Sequence, residues 1–426
     1  MIKRPFFGLV APQLEYAGLD TAGAPQEVPA PSRITLFVDA PLNRTDSLMI
    51  AKGDAVKRGQ KVVPFANSPA YTVSPRGGTI ASIVSYTGNF GKKLTAVVIE
   101  VDENTEADNK FAEAGKTPSK ESAAEFLGAI PGGLPRELVD VETVPETVVV
   151  AGADEDFLSV TRQYTISSNM EGVKRGVEIL KKITGAKNIV LAVPGPLAAG
   201  ASSAGAEVKT VGDQYPAANP HMIAKDCLGK VIPAGKSCAD EGIVFISPEA
   251  VAAVGQAYAE GTVSDRKLVT VVKKSGEKKL LSAVIGTAVG EVLAACNESV
   301  DENDRLVLGG PMTGDAVYTE SYPVCTDTDL ILVQDATQIP DVADNACINC
   351  GACVRICPAR IPVNVLIRYL EAGSYGDAAD NHDLLSCIEC GLCSFVCTAH
   401  IPIFQYIKLG KYEFARSIAA EADNAQ

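Results

Sequence analysis

Two cysteine runs of identical spacing limit what the C-terminal end of this chain can fold into. The first is Cys347-x-x-Cys350-x-x-Cys353-x-x-x-Cys357-Pro358; the second is Cys387-x-x-Cys390-x-x-Cys393-x-x-x-Cys397. Each is the C-x2-C-x2-C-x3-C pattern that holds a cubane [4Fe–4S] cluster. A cubane needs a thiolate at each of four corners. Closely spaced cysteines on one tight loop supply three, and small residues such as Gly351 and Gly391 let the backbone wrap the inorganic core. Where two such runs coexist, the last cysteine of each usually serves the other cluster. The spacing therefore predicts one cluster on Cys347, Cys350, Cys353 and Cys397, and a second on Cys387, Cys390, Cys393 and Cys357. C-x-x-C pairs also bind zinc, but a tetrahedral zinc site would leave each run oversupplied. Two adjacent cubanes are a costly way merely to brace a fold, so the runs point to electron transfer.

Of the twelve cysteines, the four outside the runs (Cys227, Cys238, Cys296 and Cys325) are scattered singly, which is no disulfide framework. Unpaired thiols and oxygen-sensitive clusters favour a reducing cytoplasm. The net charge of −14 argues against nucleic acid, whose phosphates would repel it. A chain of 426 residues, 46% hydrophobic and 21% charged, reads as an ordinary globular protein of several domains. No stretch reaches spanning length: residues 189–206 are broken by Pro194, Gly195 and Pro196. The apolar part of residues 1–19 is short and interrupted by prolines, so no signal peptide is expected. The chain is expected to have no transmembrane segment of its own and to reach a membrane only through a partner.

The expected architecture is multidomain α/β. Residues 29–102 read as short strands punctuated by glycine, a small sandwich or barrel. Gly53-Asp54-x-Val56-x-x-Gly59-Gln60 followed by Ser74-Pro75-x-x-Gly78-x-Ile80 is the pattern of a biotinyl/lipoyl-like hammerhead. Residues 63–73 contain no lysine, so a swinging arm is not expected. Residues 102–122 are polar and read as a linker. Across 123–262 strands (147–150, 188–193, 242–247) alternate with helices (170–184, 248–260), which predicts a parallel, Rossmann-like α/β domain. Residues 265–320 suggest a β-grasp module, with strands at 268–273 and 305–308 around a helix at 288–296. Residues 335–415 form the helical two-cluster, ferredoxin-like domain, with a helix at 363–371 between the runs.

The middle domain offers weaker signals. Asp154 and Glu155 follow a strand, where a parallel sheet takes ligands and a carboxylate could accept from ribose or ribityl hydroxyls. A solvated acidic turn is the alternative. Gly132 and Gly133 lie in a loop, residues 128–135, that could approach a phosphate, though without G-x-G-x-x-G spacing. His221, His382 and His400 belong to no hydrolytic motif, and no catalytic residue is predicted.

The segment from Cys387 to Cys397, followed by Ala399-His400-Ile401-Pro402-Ile403 and Gln405-Tyr406, resembles the C subunit of the Rnf ion-translocating ferredoxin:NAD oxidoreductase. So does the order of modules, and so do Lys230-Val231-Ile232-Pro233-Ala234-Gly235 and Gly309-Gly310-Pro311-Met312-Thr313-Gly314. The family is related to the Nqr A subunit and shares its architecture with cobalamin reductase. The resemblance implies a peripheral subunit on the cytoplasmic face of a membrane complex, with membrane subunits as partners. Its clusters would exchange electrons with NAD(H), ferredoxin or a cytochrome. It also implies FMN and NAD(H) in the α/β domain, but the matching loop lacks one glycine, a phenylalanine, a threonine and a lysine of the family pattern. Losing a glycine and a cation beside a phosphate weakens nucleotide binding. FMN and NAD(H) therefore stay open, as do a soluble flavin-dependent reductase and a nucleotide-free docking subunit.

Overall fold

The computed structural model describes residues 13–42, 47–102, 106–115, 117–343 and 345–424. The leader expectation for residues 1–12 and part of the expected linker at 102–122 lie outside the described residues. Near the N-terminus, strands Arg33–Val38, Lys93–Val101, Gly78–Thr87 and Ala55–Val56 form a four-stranded antiparallel sheet in that order. Their alternating inward residues, among them Ile34, Leu36, Val38, Val97 and Ile99, make one core. Period-2 alternation does this because successive strand side chains face opposite sides.

Next comes a four-stranded parallel sheet, ordered Glu207–Val211, Asn188–Pro194, Thr147–Ala151, Ile243–Ile246. After their polar first residues, Thr147 and Asn188, the inner strands are apolar, as a sheet buried on both faces requires. Helices Met170–Thr184 and Pro248–Glu260 cross closely beside it. A Cβ on Gly176 would lie 1.9 Å from the Val251 carbonyl oxygen, so glycine is what permits that crossing. Both helices have sequence-legible ends. Asn169 and Ser247 accept from the backbone N–H groups of Gly172 and Ala250, and Gly185 and Gly261 close them in the left-handed region.

The third sheet is six-stranded: Gln26–Glu27, Lys278–Val284, Arg266–Val272, Leu330–Gln334, Arg305–Leu308, Asp315–Val317. It takes in strands on both sides of residues 265–320, one of them near the N-terminus. The C-terminal module is helical: Ala352–Ile356, Val363–Glu371, Tyr375–Asn381, Leu392–Phe395 and Ile403–Asn424. Its core joins Leu366, Ile367, Leu370 and Ile407 to Cys353 and Cys393, so the cysteines are part of what the helices pack around. Among the described residues no helix is long and apolar enough to cross a membrane.

Candidate metal centres

Each position of the first cysteine run is matched forty residues later, as Cys347 is by Cys387, and the backbone repeats with it. Asn349 and Glu389 both have φ 56°, Gly351 and Gly391 have φ 70° and 74°, and Arg360 and His400 both have φ 57°. Left-handed backbone at non-glycine residues is uncommon, and having it at two matched pairs marks two copies of one loop. Each loop turns at its glycine into a short helix, Ala352–Ile356 or Leu392–Phe395. There the backbone N–H groups of Ala352 and Leu392 lie against the sulfurs of Cys350 and Cys390.

Cys347, Cys350, Cys353 and Cys397 line one small hollow, closed by Ile367, Ile401 and Ile403. Cys357 lies instead within electrostatic reach of Cys387, Cys390 and Cys393. The structure thus gathers eight sulfurs into two crossed quartets. Among the described residues no group of three or more His, Cys, Asp or Glu side chains is drawn together tightly enough to hold a single metal ion. Sulfurs spread around a hollow suit a cluster whose irons sit at separate corners.

The two quartets differ in surroundings. Cys350 is exposed, and the Ala352 N–H holds its thiol below the usual value. Burial pushes Cys353 up to about 11 and Cys390 up to about 12, and it also raises Cys387 and Cys393. The second loop is walled in by the parallel-sheet module, with a cavity of about 610 Å3 between them. Glu155, His221, Lys236, Cys387, Glu389 and Lys411 border it. Lys411 Nζ donates to the Cys387 carbonyl and to Glu389, both at 2.7 Å. Burial, with Lys411 nearby, holds His221 below its ordinary value.

The sequence-predicted nucleotide residues do not act together. Asp154 is buried and caps helix Thr161–Ser168. It accepts from the Ser159 and Thr161 hydroxyls (2.9 and 3.2 Å), the N–H groups of Arg162 and Gln163 (3.0 and 3.2 Å) and the Gln163 side chain (3.1 Å). In the fold, then, the oxygens of the expected ribose acceptor are engaged by the start of this helix. Glu155 reaches the cavity and lies 3.7 Å from Arg162. Gly132 N–H donates to the Thr326 carbonyl at 2.7 Å, and Gly133 N–H to that of Ile130 at 3.0 Å. Those two amides are occupied and do not fit a phosphate cradle. Asp156, in the same acidic stretch, has a buried Oδ2 without a hydrogen-bond partner among the described residues, and burial pushes its carboxyl up to about 6. His221, Lys236 and Lys411 were missed; they lie far apart in sequence and belong to no motif.

A model of the 4Fe-4S dicluster domain matches residues 339–398, and one of the RnfC barrel sandwich hybrid domain matches residues 21–104. The C subunit of the proton-translocating ferredoxin:NAD(+) oxidoreductase complex of Clostridium ljungdahlii is 28% identical over 422 residues, covering 92% of this chain and 91% of that one. The C subunit of the ion-translocating oxidoreductase complex of Methanosarcina acetivorans is 26% identical, covering 74% and 77%. The Rhodobacter capsulatus protein of that name is 29% identical over 243 residues; the match takes in 55% of this chain and 47%, about half, of the relative's length. The chain is RnfC-like: along nearly its whole length it resembles the C subunits of ion-translocating oxidoreductase complexes.

Proposed function

We propose that this chain is an iron–sulfur electron-transfer subunit of an Rnf-type oxidoreductase complex. The observation that carries the reading is the pair of crossed four-cysteine quartets on repeated loops. Cys347, Cys350, Cys353 and Cys397 would hold one [4Fe–4S] cluster, and Cys387, Cys390, Cys393 and Cys357 the other. When bound, each cluster supplies one reversible electron. The protein's part is to hold the two quartets in one helical core, expose the first through Cys350, and bury the second against the parallel sheet. Cys390 and Cys393 are buried there, and exposure and hydrogen bonding are levers that set cluster potential. The parallel sheet is read as a Rossmann-like domain and the six-stranded sheet as a β-grasp module. Membrane subunits of the complex would anchor the chain at the cytoplasmic face, with NAD(H), ferredoxin or a cytochrome as the redox carrier.

A second reading, a flavin- or NADH-linked reductase, is favoured by the cavity between Glu155 and the Cys387 loop. The test is a titration of anaerobically purified chain, watching the broad iron–sulfur absorbance. The relay reading expects dithionite to bleach it, with no flavin released on denaturation and no bleaching by NADH alone. Co-purifying flavin with rapid NADH bleaching would establish the second reading instead. Absence of iron–sulfur absorbance would contradict both.

A further inference from the structure

The two cluster loops have matching backbones but different supports. In the first loop the Cys350 carbonyl accepts from Arg355 Nη2 at 3.1 Å, an exposed side chain on the same loop's own helix. The residue in Arg355's place in the second loop is Phe395, which cannot donate. The Cys390 carbonyl instead accepts from Tyr215 Oη at 2.7 Å, and the Ile388 carbonyl from Asn219 Nδ2 at 3.2 Å. Both donors belong to the parallel-sheet module, as does Gly235, whose N–H donates to the Leu385 carbonyl at 3.2 Å. The seat is close: a Cβ on Gly391 would lie 2.4 Å from the Met312 carbonyl oxygen. Tyr215, Met312, Cys390 and Leu392 form a buried apolar cluster around it.

We propose that Tyr215 and Asn219 are positioning residues that seat the second loop on the parallel-sheet module and make its cluster easier to reduce than the same loop would be alone. The proposal rests on the relay reading above. A donor on the carbonyl of a ligating residue draws electron density from the peptide, and polarisation along a hydrogen-bond chain carries that pull toward the metal centre. Hydrogen bonding around the sulfurs is one of the factors that set a cluster's potential. Among the described residues no side chain of another module donates to a carbonyl of the first loop, which therefore acts as an internal control.

The test is an EPR-monitored redox titration of the full-length holoprotein as wild type, Tyr215→Phe and Asn219→Ala. In Tyr215→Phe the oxidised-to-reduced ratio of one cluster at a fixed potential should rise about threefold to tenfold. Tenfold corresponds to about 59 mV for a one-electron couple. The other cluster should titrate unchanged, and Asn219→Ala should move the same cluster by less. Selective loss of that cluster's signal in either variant would likewise support the seat. Neither potential moving at full iron content, or both moving together, would overturn it. Wild-type protein without clusters would instead defeat the relay reading, a separately visible outcome.

Discussion

At the residue scale, the cysteine quartets make the sharpest claims. Cys350→Ser should remove one cluster and Cys357→Ser the other, each lowering iron from about eight to about four per chain. Because the quartets are crossed, Cys357→Ser should extinguish the cluster of the second loop although Cys357 lies in the first run. Equal loss of both signals in both variants would refute the ligand sets. Asp156 supports a pH prediction. Its carboxyl titrates near 6 in the fold against an ordinary value near 3.8, so the charged form costs stability. That cost is complete above pH 6 and gone below about pH 4. Asp156→Asn, which keeps an oxygen for the Leu158 N–H, should stabilise the protein by about 1–3 kcal/mol at pH 8 and by nothing at pH 4. Denaturant melts at the two pH values would check it, and an unchanged pH 8 midpoint would contradict it. The dicluster domain was legible because its cysteine spacing is local. Asp154 was harder to read, because a carboxylate after a strand looks the same in sequence whether it meets a ligand or caps a helix, and only the fold shows Ser159, Thr161, Arg162 and Gln163 closing on it.

At the scale of elements, the sequence carried the parallel sheet and its helices well, because apolar strands and helix caps are written in adjacent residues. It did not reveal what joins that sheet to the next. Lys267, on strand Arg266–Val272, is fully buried between Glu249 at 2.5 Å and Asp329 at 2.6 Å, and Asp329 also meets Arg162 at 3.3 Å. A lysine in a strand pattern gives no hint of this, since its partners are on a helix of the parallel-sheet module and on the turn before strand Leu330–Gln334. Burial alone would raise both carboxyls. It does raise Glu249, whereas Lys267 and Arg162 together outweigh it and hold Asp329 below its usual value. Lys267→Met should leave Glu249 without its cation and Asp329 with Arg162 alone, and destabilise the protein by about 3–5 kcal/mol near neutrality. Without the cation Glu249, already raised by burial, is raised further, so the penalty is present above its new value and relieved as pH falls through it. The loss should be larger at pH 8 than at pH 5; a loss independent of pH would contradict the network's role.

At the scale of the whole molecule, the C-terminal module is small and its core is built partly from Cys353 and Cys393. Metal binding in such a unit is coupled to its folding. Removing iron with a chelator under reducing conditions should open residues 345–424 to limited proteolysis while the sheets before them resist; protection equal to the holoprotein's would show that the module folds without metal. A barrel-sandwich domain ahead of a two-cluster domain was readable from the sequence. The six-stranded sheet's borrowing of Gln26–Glu27 was not, because a two-residue strand carries no period. Nor was the cavity at the second loop, which brings Glu155 and His221 to Lys411 by the docking of two modules. The most direct measurement on the account as a whole is iron and acid-labile sulfide analysis of anaerobically purified protein, with EPR spin quantification after full reduction. The account predicts about eight irons, about eight sulfides and about two spins per chain from a pair of [4Fe–4S] centres. Stoichiometric zinc, or a single cluster's worth of iron and spin, would contradict it.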